Sequence, residues 1–528
     1  FGSSIQVGRG SRSVSALWSM AKVKECVCVH IGQAGCQVGF RCWELFTTEH
    51  GIQPDGTRTN DPFDGIPDDG AYQGFFHDTG TGQHVPRSIF VDTEPSVIDD
   101  IRISSMGNMF HPDSMLAFKK DARNNYFEGR RMAAELRISD AVMDRVRLAM
   151  DLCSNAQGFF VFHSFGGGTG SGVGVKILDD LRDLFPKKSI IQPVIYPSKS
   201  YSSTIVEPYN CIFATHESRE TVDLSLMMDN EAAYNVCKKN LQLKNPHFKD
   251  VNRLLAQCIS GCTGPLRYET ELNATLDEIR CNLVPVKGFR YPIMCLAPVR
   301  HRERKSHEKF KTAEVVAELF DEKNLLCDCK GLDGNRYLAA VVMMRGEGRG
   351  DGPPDPEDAG GPTSTMGMSG TFKPISANAV MSAINSLRHV EKGSHKRPIK
   401  FVPWMEGSGV KIGIVKAHPV VPPNFIMAKP ERQGVMLGNN TAVRQLFARQ
   451  YIRYLRLMYH KAYIWQFMEA SGEEDLFLEA RESVRDIMDM YEDLMKQSVD
   501  AENEAQEQPP LREVKLFGAS QRERERAR

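Results

Sequence analysis

The chain has 528 residues, enough for about three domains at roughly 100–200 residues each. Hydrophobic residues at 41% and charged residues at 25% suit a globular chain with a sizeable core, and a formal net charge of −1 gives no global field for nucleic acid or an anionic membrane. No apolar run approaches the ~18–20 residues of a membrane span, and thirteen scattered cysteines, without a paired C-x-x-C frame or a secretory h-region, read as reduced thiols of the cytoplasm.

Residues 1–21 read as a disordered extension, Ser-rich and slightly basic up to Met20. The stretch 24–31 (KECVCVHI) alternates as a strand does and runs into GQAG, after which Leu45 and Phe46 fall on a helical face. A second strand at 158–165 (GFFVFHSF) is apolar on both sides, as central parallel strands are. It leads into GGGTGSG at 166–172 and a helix with Val173, Ile177, Leu181, Leu184 and Phe185 on one face. Strands at 189–196 and 224–229 follow, the latter meeting the helical DNEAAYNVCKKN. Alternation of this kind over 22–229 predicts an α/β fold with a parallel sheet covered on both faces.

From 230 to 441 the pattern is mixed α+β, with a helix at 251–259 and a strand at 336–345. Residues 346–374 hold eight Gly and five Pro and read as a flexible insert. Two long helical patterns fill 442–498, and the polar segment 499–528 reads as a disordered tail. No internal repeat is present.

A Gly-rich turn between a buried strand and a helix start suits phosphate: backbone N–H groups approach the oxygens and the helix dipole favours their charge. The chain has no Gly-Lys dipeptide and hence no G-x-x-x-x-G-K-[ST] loop, and Ser171 and Val173 break G-x-G-x-x-G. Five Gly in seven residues exceed what a structural turn requires, because each costs backbone entropy.

The segment VFHSFGGGTGSG (161–172) resembles the signature of the tubulin superfamily, and co-linear matches extend along the chain: IGQAGCQ (31–37), CWELF (42–46), EHGIQPDG (49–56), HVPR (84–87), VDTEPSVID (91–99), NNY (124–126), VEPYN (206–210), DNEA (229–232) and NRLLAQ (252–257). They are most similar to the α branch of that family. The resemblance implies a GTP-binding domain at 22–229, an intermediate domain at 230–441, a helical C-terminal domain at 442–498, and a subunit that pairs with β-tubulin and polymerises with other dimers into cytoplasmic microtubules.

Carried over by position, the resemblance sets guanine nucleotide against Gly32, Gln33, Ala34 and Gln37, with Asp92 and Glu94 near the phosphates and Glu94 holding Mg²⁺. Ala122 and Asn124 would border the phosphate pocket, and Ser164, Gly166, Gly167, Gly168, Thr169 and Gly170 would hold the phosphates. Ser203 and Glu207 would face the ribose, Asn230 and Asn252 would read the base, and Phe248 would stack on it. Lys120 and Arg123 would add positive charge near the phosphates. Taken singly, an Asn at a helix start is more often a cap and a Glu more often solvated.

Glu278, in LNATLDEIRCNL (272–283), matches the acidic residue by which the α branch activates hydrolysis of GTP on the next β-subunit. Thr275-x-x-Glu278 also spells a capping box, which would turn the carboxylate back on its own helix. The basic stretch 300–311, with six Lys/Arg, falls at the family's lateral-contact loop, and an acidic stripe (Glu482, Asp486, Asp489, Asp493) falls where motors and microtubule-associated proteins dock. The insert, that basic loop and the mixed-sign tail leave a second reading open: a divergent structural or regulatory tubulin that holds nucleotide without building ordinary microtubules.

Overall fold

The computed structural model describes residues 23–58, 70–198, 200, 202, 204–268, 270, 275–303, 310–329, 334–348, 373–389, 398–415, 417–471 and 475–507. The first strand β1 (Glu25–Ile31) passes directly into helix α1 (Gly32–His50), and short strands β2 (Phe76–Asp78) and β3 (His84–Pro86) precede β4 (Ser88–Asp92). Helix α2 (Pro95–Ile103), strand β5 (Met115–Ala117), and helices α3 (Tyr126–Glu135) and α4 (Ile138–Asp151) lead to β6 (Ala156–Ser164). A π-turn at Thr169–Val173 opens α5 (Gly174–Leu184), followed by β7 (Ser189–Tyr196), α6 (Glu207–Thr221), β8 (Leu224–Asp229) and α7 (Asn230–Lys239).

Next come α8 (Phe248–Arg267), α9 (Leu276–Leu283), β9 (Ile293–Ala297) and α10 (Thr312–Leu319). The remaining strands are β10 (Tyr337–Gly348), β11 (Lys373–Pro374), β12 (Val410–Val415) and β13 (Arg432–Asn440), with α11 (Ala377–Arg388) between β11 and β12. Three helices close the chain: α12 (Arg444–Tyr459), α13 (Ile464–Ser471) and α14 (Asp475–Glu507).

Alternation along the central strands explains why they are central. Phe159 and Val161 of β6 pack with Val27, Val29 and Ile31 of β1 in one apolar cluster, while Phe160 and Phe162 join Cys26 and Cys28 in another on the opposite face. A strand buried on both faces belongs inside a parallel sheet. The sheet runs β11-β10-β13-β9-β8-β7-β6-β1-β4-β5, with β12 on β10, and every pairing from β8 to β5 is parallel. From β1 the chain moves outward to β4 and β5, then returns to β6 and moves the other way, so the connections diverge at the carboxyl ends of β1, β4 and β6. Such a switch point opens a crevice for a ligand. The antiparallel strands β13 and β10 extend the sheet through β9, which meets β8 at Met227 and Ile293.

Three stretches differ from the sequence reading. The pattern 444–468, read as one helix, breaks between α12 and α13, where Lys461 and Tyr463 take positive φ of 50° and 60° and the Tyr209 hydroxyl donates to Ala462 O at 2.9 Å. The segment 499–507, read as tail, continues α14, because 500–507 is rich in helix formers and the helix-ending prolines arrive at 509 and 510. The stretch read as insert at 346–374 is strand at both ends: Glu347 pairs with Pro374 and Gly348 with Lys373. Residues 1–22, 349–372 and 508–528 lie outside the described residues. All thirteen cysteines are free thiols.

A fully buried ion cluster joins the parallel and antiparallel halves. Glu49, near the end of α1, accepts from Arg267 Nη1 of α8 at 2.7 Å and Arg345 Nη1 of β10 at 2.5 Å, and both its oxygens accept from Ser260 Oγ. Arg345 continues to Gln433 of β13 at 2.7 Å. Burial alone would raise the Glu49 carboxyl, but the two guanidiniums and Ser260 bring it down to about 2. We predict that Glu49→Gln, which leaves two buried cations without their counter-charge, loses about 3–5 kcal/mol in denaturant unfolding. The wild-type contribution is complete above the unfolded value of 4.5 and is lost as pH falls through about 2. The variant therefore shows a flatter acid limb in its stability profile.

Candidate functional site

The crevice at the switch point is a cleft of about 270 Å³. Ile31, Gly32, Gln33 and Ala34 line it from the β1–α1 junction, and Asp92, Thr93, Glu94, Ser96 and Val97 from β4 and the start of α2. Asp121, Ala122 and Asn124 come from the segment before α3, and Ser164, Gly167, Gly168, Thr169 and Gly170 from the end of β6 and the loop after it. Four separate stretches of sequence thus converge because three parallel strands end on one edge.

Backbone geometry makes the glycines necessary at two points. Gly32 has φ +70°, and a Cβ there would lie 3.2 Å from Gly170 N. A Cβ on Gly170 would lie 2.4 Å from Ser164 O, so the loop folds back onto its own strand only without a side chain. The loop is pinned from below: His163, buried and held below its usual proton affinity by burial, bonds Gly170 O through Nδ1 at 2.8 Å and Gln192 through Nε2 at 2.9 Å. Thr93 and Thr169 hydroxyls meet at 2.7 Å and join the α2 side to the loop.

Helices α1 and α2 and the π-turn start at this cleft without a side-chain cap, so the first N–H groups of α1 and of the π-turn have no side-chain acceptor there, while α2 opens on Pro95, which has no N–H. That arrangement suits a polyanion. The same cleft is lined by the acidic residues Asp92, Glu94 and Asp121. Burial pushes the Asp92 carboxyl up to about 6, with Glu94 and Asp121 adding to the rise and backbone N–H groups of Glu94 and Thr93 opposing it. Among the described residues these carboxylates do not close into a three-ligand metal cage, and one or two oxygen donors completed by phosphate oxygens is the arrangement that fits Mg²⁺.

Among the other expected residues, Gln37 lies one turn into α1, partly buried, and Gly166 packs beside Glu207, whose buried carboxylate accepts from Ser202 Oγ at 2.6 Å. Ser203 lies outside the described residues. Asn230 is the first residue of α7, but the cap of that helix is Asp229, which accepts from Glu231 N at 2.9 Å. Asn230 is therefore not spent as a cap. Asn252 is buried on α8, whose first residue Phe248 is 57% exposed, its ring edge-on to Tyr234 at 5.8 Å. These base-side residues stand apart from the phosphate-side cleft lining. Glu278 does not line the cleft.

Lys120 does not charge the cleft as expected: its ammonium pairs with Glu128 at 3.4 Å and Glu135 at 3.7 Å on α3. Arg123 turns on Asp121, whose Oδ1 accepts from Arg123 N at 2.8 Å, and takes φ +50°. The sequence reading missed Asn210, fully buried on α6. Its amide donates to Asn124 O at 2.7 Å and Gly166 O at 2.8 Å and accepts from Tyr126 N, tying two cleft loops together. An amide set immediately before the apolar run CIFA (211–214) was the available signal.

A profile described as Tubulin/FtsZ family, GTPase domain, matches residues 25–238, and a tubulin C-terminal domain profile matches 289–349 and 373–451. The tubulin alpha chain of Trypanosoma cruzi is 37% identical over 483 residues, which span 91% of this chain and 99% of that protein.

The loop geometry predicts opposite outcomes for two Gly→Ala variants. Gly170→Ala, forced against Ser164 O, lowers the thermal midpoint of the nucleotide-free chain and abolishes nucleotide retention. Gly167→Ala meets open space and stays within about 0.5 kcal/mol of the parent stability. It weakens nucleotide binding alone, by roughly tenfold, the loss of about 1.4 kcal/mol. Melting curves beside a nucleotide-binding isotherm distinguish the two.

Proposed function

The chain belongs to the tubulin family, with a GTPase domain and an α-tubulin relative, and on that premise we propose that it is an α-type subunit that pairs with β-tubulin, polymerises, and triggers hydrolysis of GTP on the next β-subunit. The observation that carries this reading is the separation of the acid from the cleft. Glu278 sits on α9, 45% exposed at its side chain, and does not line the cleft of its own chain, so its carboxylate is available to a neighbour's nucleotide.

The capping alternative is half realised. Thr275 Oγ1 accepts from Glu278 N at 3.2 Å, but the Glu278 carboxylate accepts from Lys411 Nζ of β12 at 2.9 Å instead of turning back to the helix start. Its neighbours fix the helix: Asp277 accepts from Ser189 Oγ of β7, and Arg280 reaches Asp223 before β8 at 3.4 Å. With Oε2 held by Lys411, Oε1 can orient a water and take its proton, a role in which positioning outweighs covalent chemistry.

GTP when bound supplies a triphosphate whose charge Mg²⁺ partly offsets. This chain's share is to hold those oxygens with the N–H groups after Ile31, Pro95 and Gly168, to offer Asp92 and Glu94 to the cation, and to read the base from Asn230 and Asn252 against Phe248. Apolar rings support a partner over the site. Tyr459 is 85% and Trp465 65% exposed, flanking the turn that Tyr209 holds, while Asn125, the cap of α3, donates to Gln466 O at 3.0 Å. A subunit covering those rings would also shut the cleft, so the bound GTP should exchange slowly.

Co-sedimentation of the full chain with β-tubulin and GTP tests the proposal. Dimers that retain GTP yet never sediment would favour the structural or regulatory reading, and a folded dimer empty of GTP would overturn both. In polymer, Glu278→Ala should slow phosphate release per assembled dimer by about 10²–10⁴-fold with pairing intact. Were Glu278 merely part of the cap, melting would shift by about 1 kcal/mol and release would hold its rate.

A further inference from the structure

The expected ribose and base side of the site is held from outside the sheet, by the second and third turns of α12. The Arg449 guanidinium reaches Asp229 Oδ2 at 3.3 Å and Asp328 Oδ2 at 3.2 Å. Asp229 is fully buried and caps α7, the helix that begins with Asn230. One residue along, Gln450 Nε2 donates to Pro197 O at 2.7 Å, and one turn further Arg453 Nη1 donates to Ser198 O at 3.0 Å. Pro197 and Ser198 open the β7–α6 connection, which carries the expected ribose contacts up to Glu207. The far side of that connection is tied to α7, because Ser200 donates to Glu231 from its N–H at 3.2 Å and its hydroxyl at 2.9 Å.

We propose that Arg449, Gln450 and Arg453 form a clamp by which the helical layer sets the ribose loop and the base-reading end of α7, and thereby governs how tightly and how selectively guanine nucleotide is held. The three are positioning residues, acting through Asp229 and the backbone at Pro197 and Ser198. The inference rests on the assignment of Asn230 to the base. The physical basis is the state of the cap. A buried carboxylate caps a helix well only while ionised, and Arg449 is the cation that keeps Asp229 so against its burial and the nearby charges of Glu231 and Asp328. Burial still holds the Asp229 carboxyl up at about 6. The clamp consequently loosens as pH falls through that value, and losing Arg449 moves the loosening toward neutrality.

The test uses the full chain loaded with a fluorescent GTP analogue, chased with excess GTP, in parallel with competition by ITP, which lacks the exocyclic amino group of guanine. Arg449→Met should speed release by at least about tenfold, equivalent to about 1.4 kcal/mol. It should also narrow the preference for GTP over ITP and make release steepen between pH 7.5 and 6. Arg449→Lys, which keeps the charge, should restore most of the retention and the pH profile. Arg444→Met, on the same helix but paired outward with Glu492 at 3.4 Å, should change none of these readouts. Release, selectivity and pH profile of Arg449→Met matching the parent would overturn the clamp while leaving the nucleotide site intact. A parent chain with no preference for GTP over ITP would instead overturn the base assignment itself, and the clamp with it. Should Arg449→Met fail to fold, the Gln450→Ala, Arg453→Met double variant decides the matter: several-fold faster release supports the clamp and unchanged release refutes it.

Discussion

Glu49 holds two guanidiniums in an apolar interior, and the arrangement of the molecule follows from where its partners originate. Arg267 belongs to α8, which packs across α1, and Arg345 belongs to β10, in the antiparallel half of the sheet. Helix α1 therefore has opposite duties at its two ends, about 28 Å apart at 1.5 Å per residue. Its start offers uncapped N–H groups to the cleft, and its finish anchors the other half of the sheet. A carboxylate so placed is satisfied by four side-chain hydrogen bonds, two from Ser260 and one each from Arg267 and Arg345, which is the condition under which a buried charge is tolerated.

The site divides its labour by chemistry. At the glycine loop the proposed recognising groups are backbone N–H donors, and side chains such as His163, Asn210 and Thr93 hold that backbone. On the proposed base side the order would reverse, with side chains on α7 and α8, from buried Asn252 to exposed Phe248, doing the reading while the backbone is occupied within helices. Under the proposed function, a ligand spanning both regions would meet fixed geometry at one end and adaptable amides at the other. The helical layer touches both, through Gln466 at the cap of α3 and through α12 at the ribose loop.

Strands β1, β6, β7 and β8 were legible because period-two burial and buried apolar runs are properties of contiguous residues, and the glycine loop because its composition is local. What stayed hidden depends on residues far apart in sequence. Nothing around Glu278 announces that Lys411, 133 positions away, takes its carboxylate, and the Thr275 signature argued for a different partner. Lys120 looked available to the phosphates until α3 placed Glu128 and Glu135 beside it. Asp229, not Asn230, became the α7 cap because strand β8 ends one residue before the helix begins. The break after α12 was invisible because neither Gly nor Pro marks it; a hydroxyl from α6 stabilises the turn instead.

The short ladder between Glu347–Gly348 and Lys373–Pro374 has a consequence for how freely this chain can change. Both ends of the intervening segment are already neighbours in the sheet, so whatever connects them has its closure set by the fold. Closure entropy rises with the logarithm of length, and doubling a flexible connection there adds only about 0.6 kcal/mol. The profile match to the C-terminal domain skips the same interval, stopping at 349 and resuming at 373. Position 348–373 is thus a graft point, where sequence can be lengthened, shortened or exchanged for a reporter with little penalty to the switch-point crevice, whose first strand, β6, is six strand pairings away.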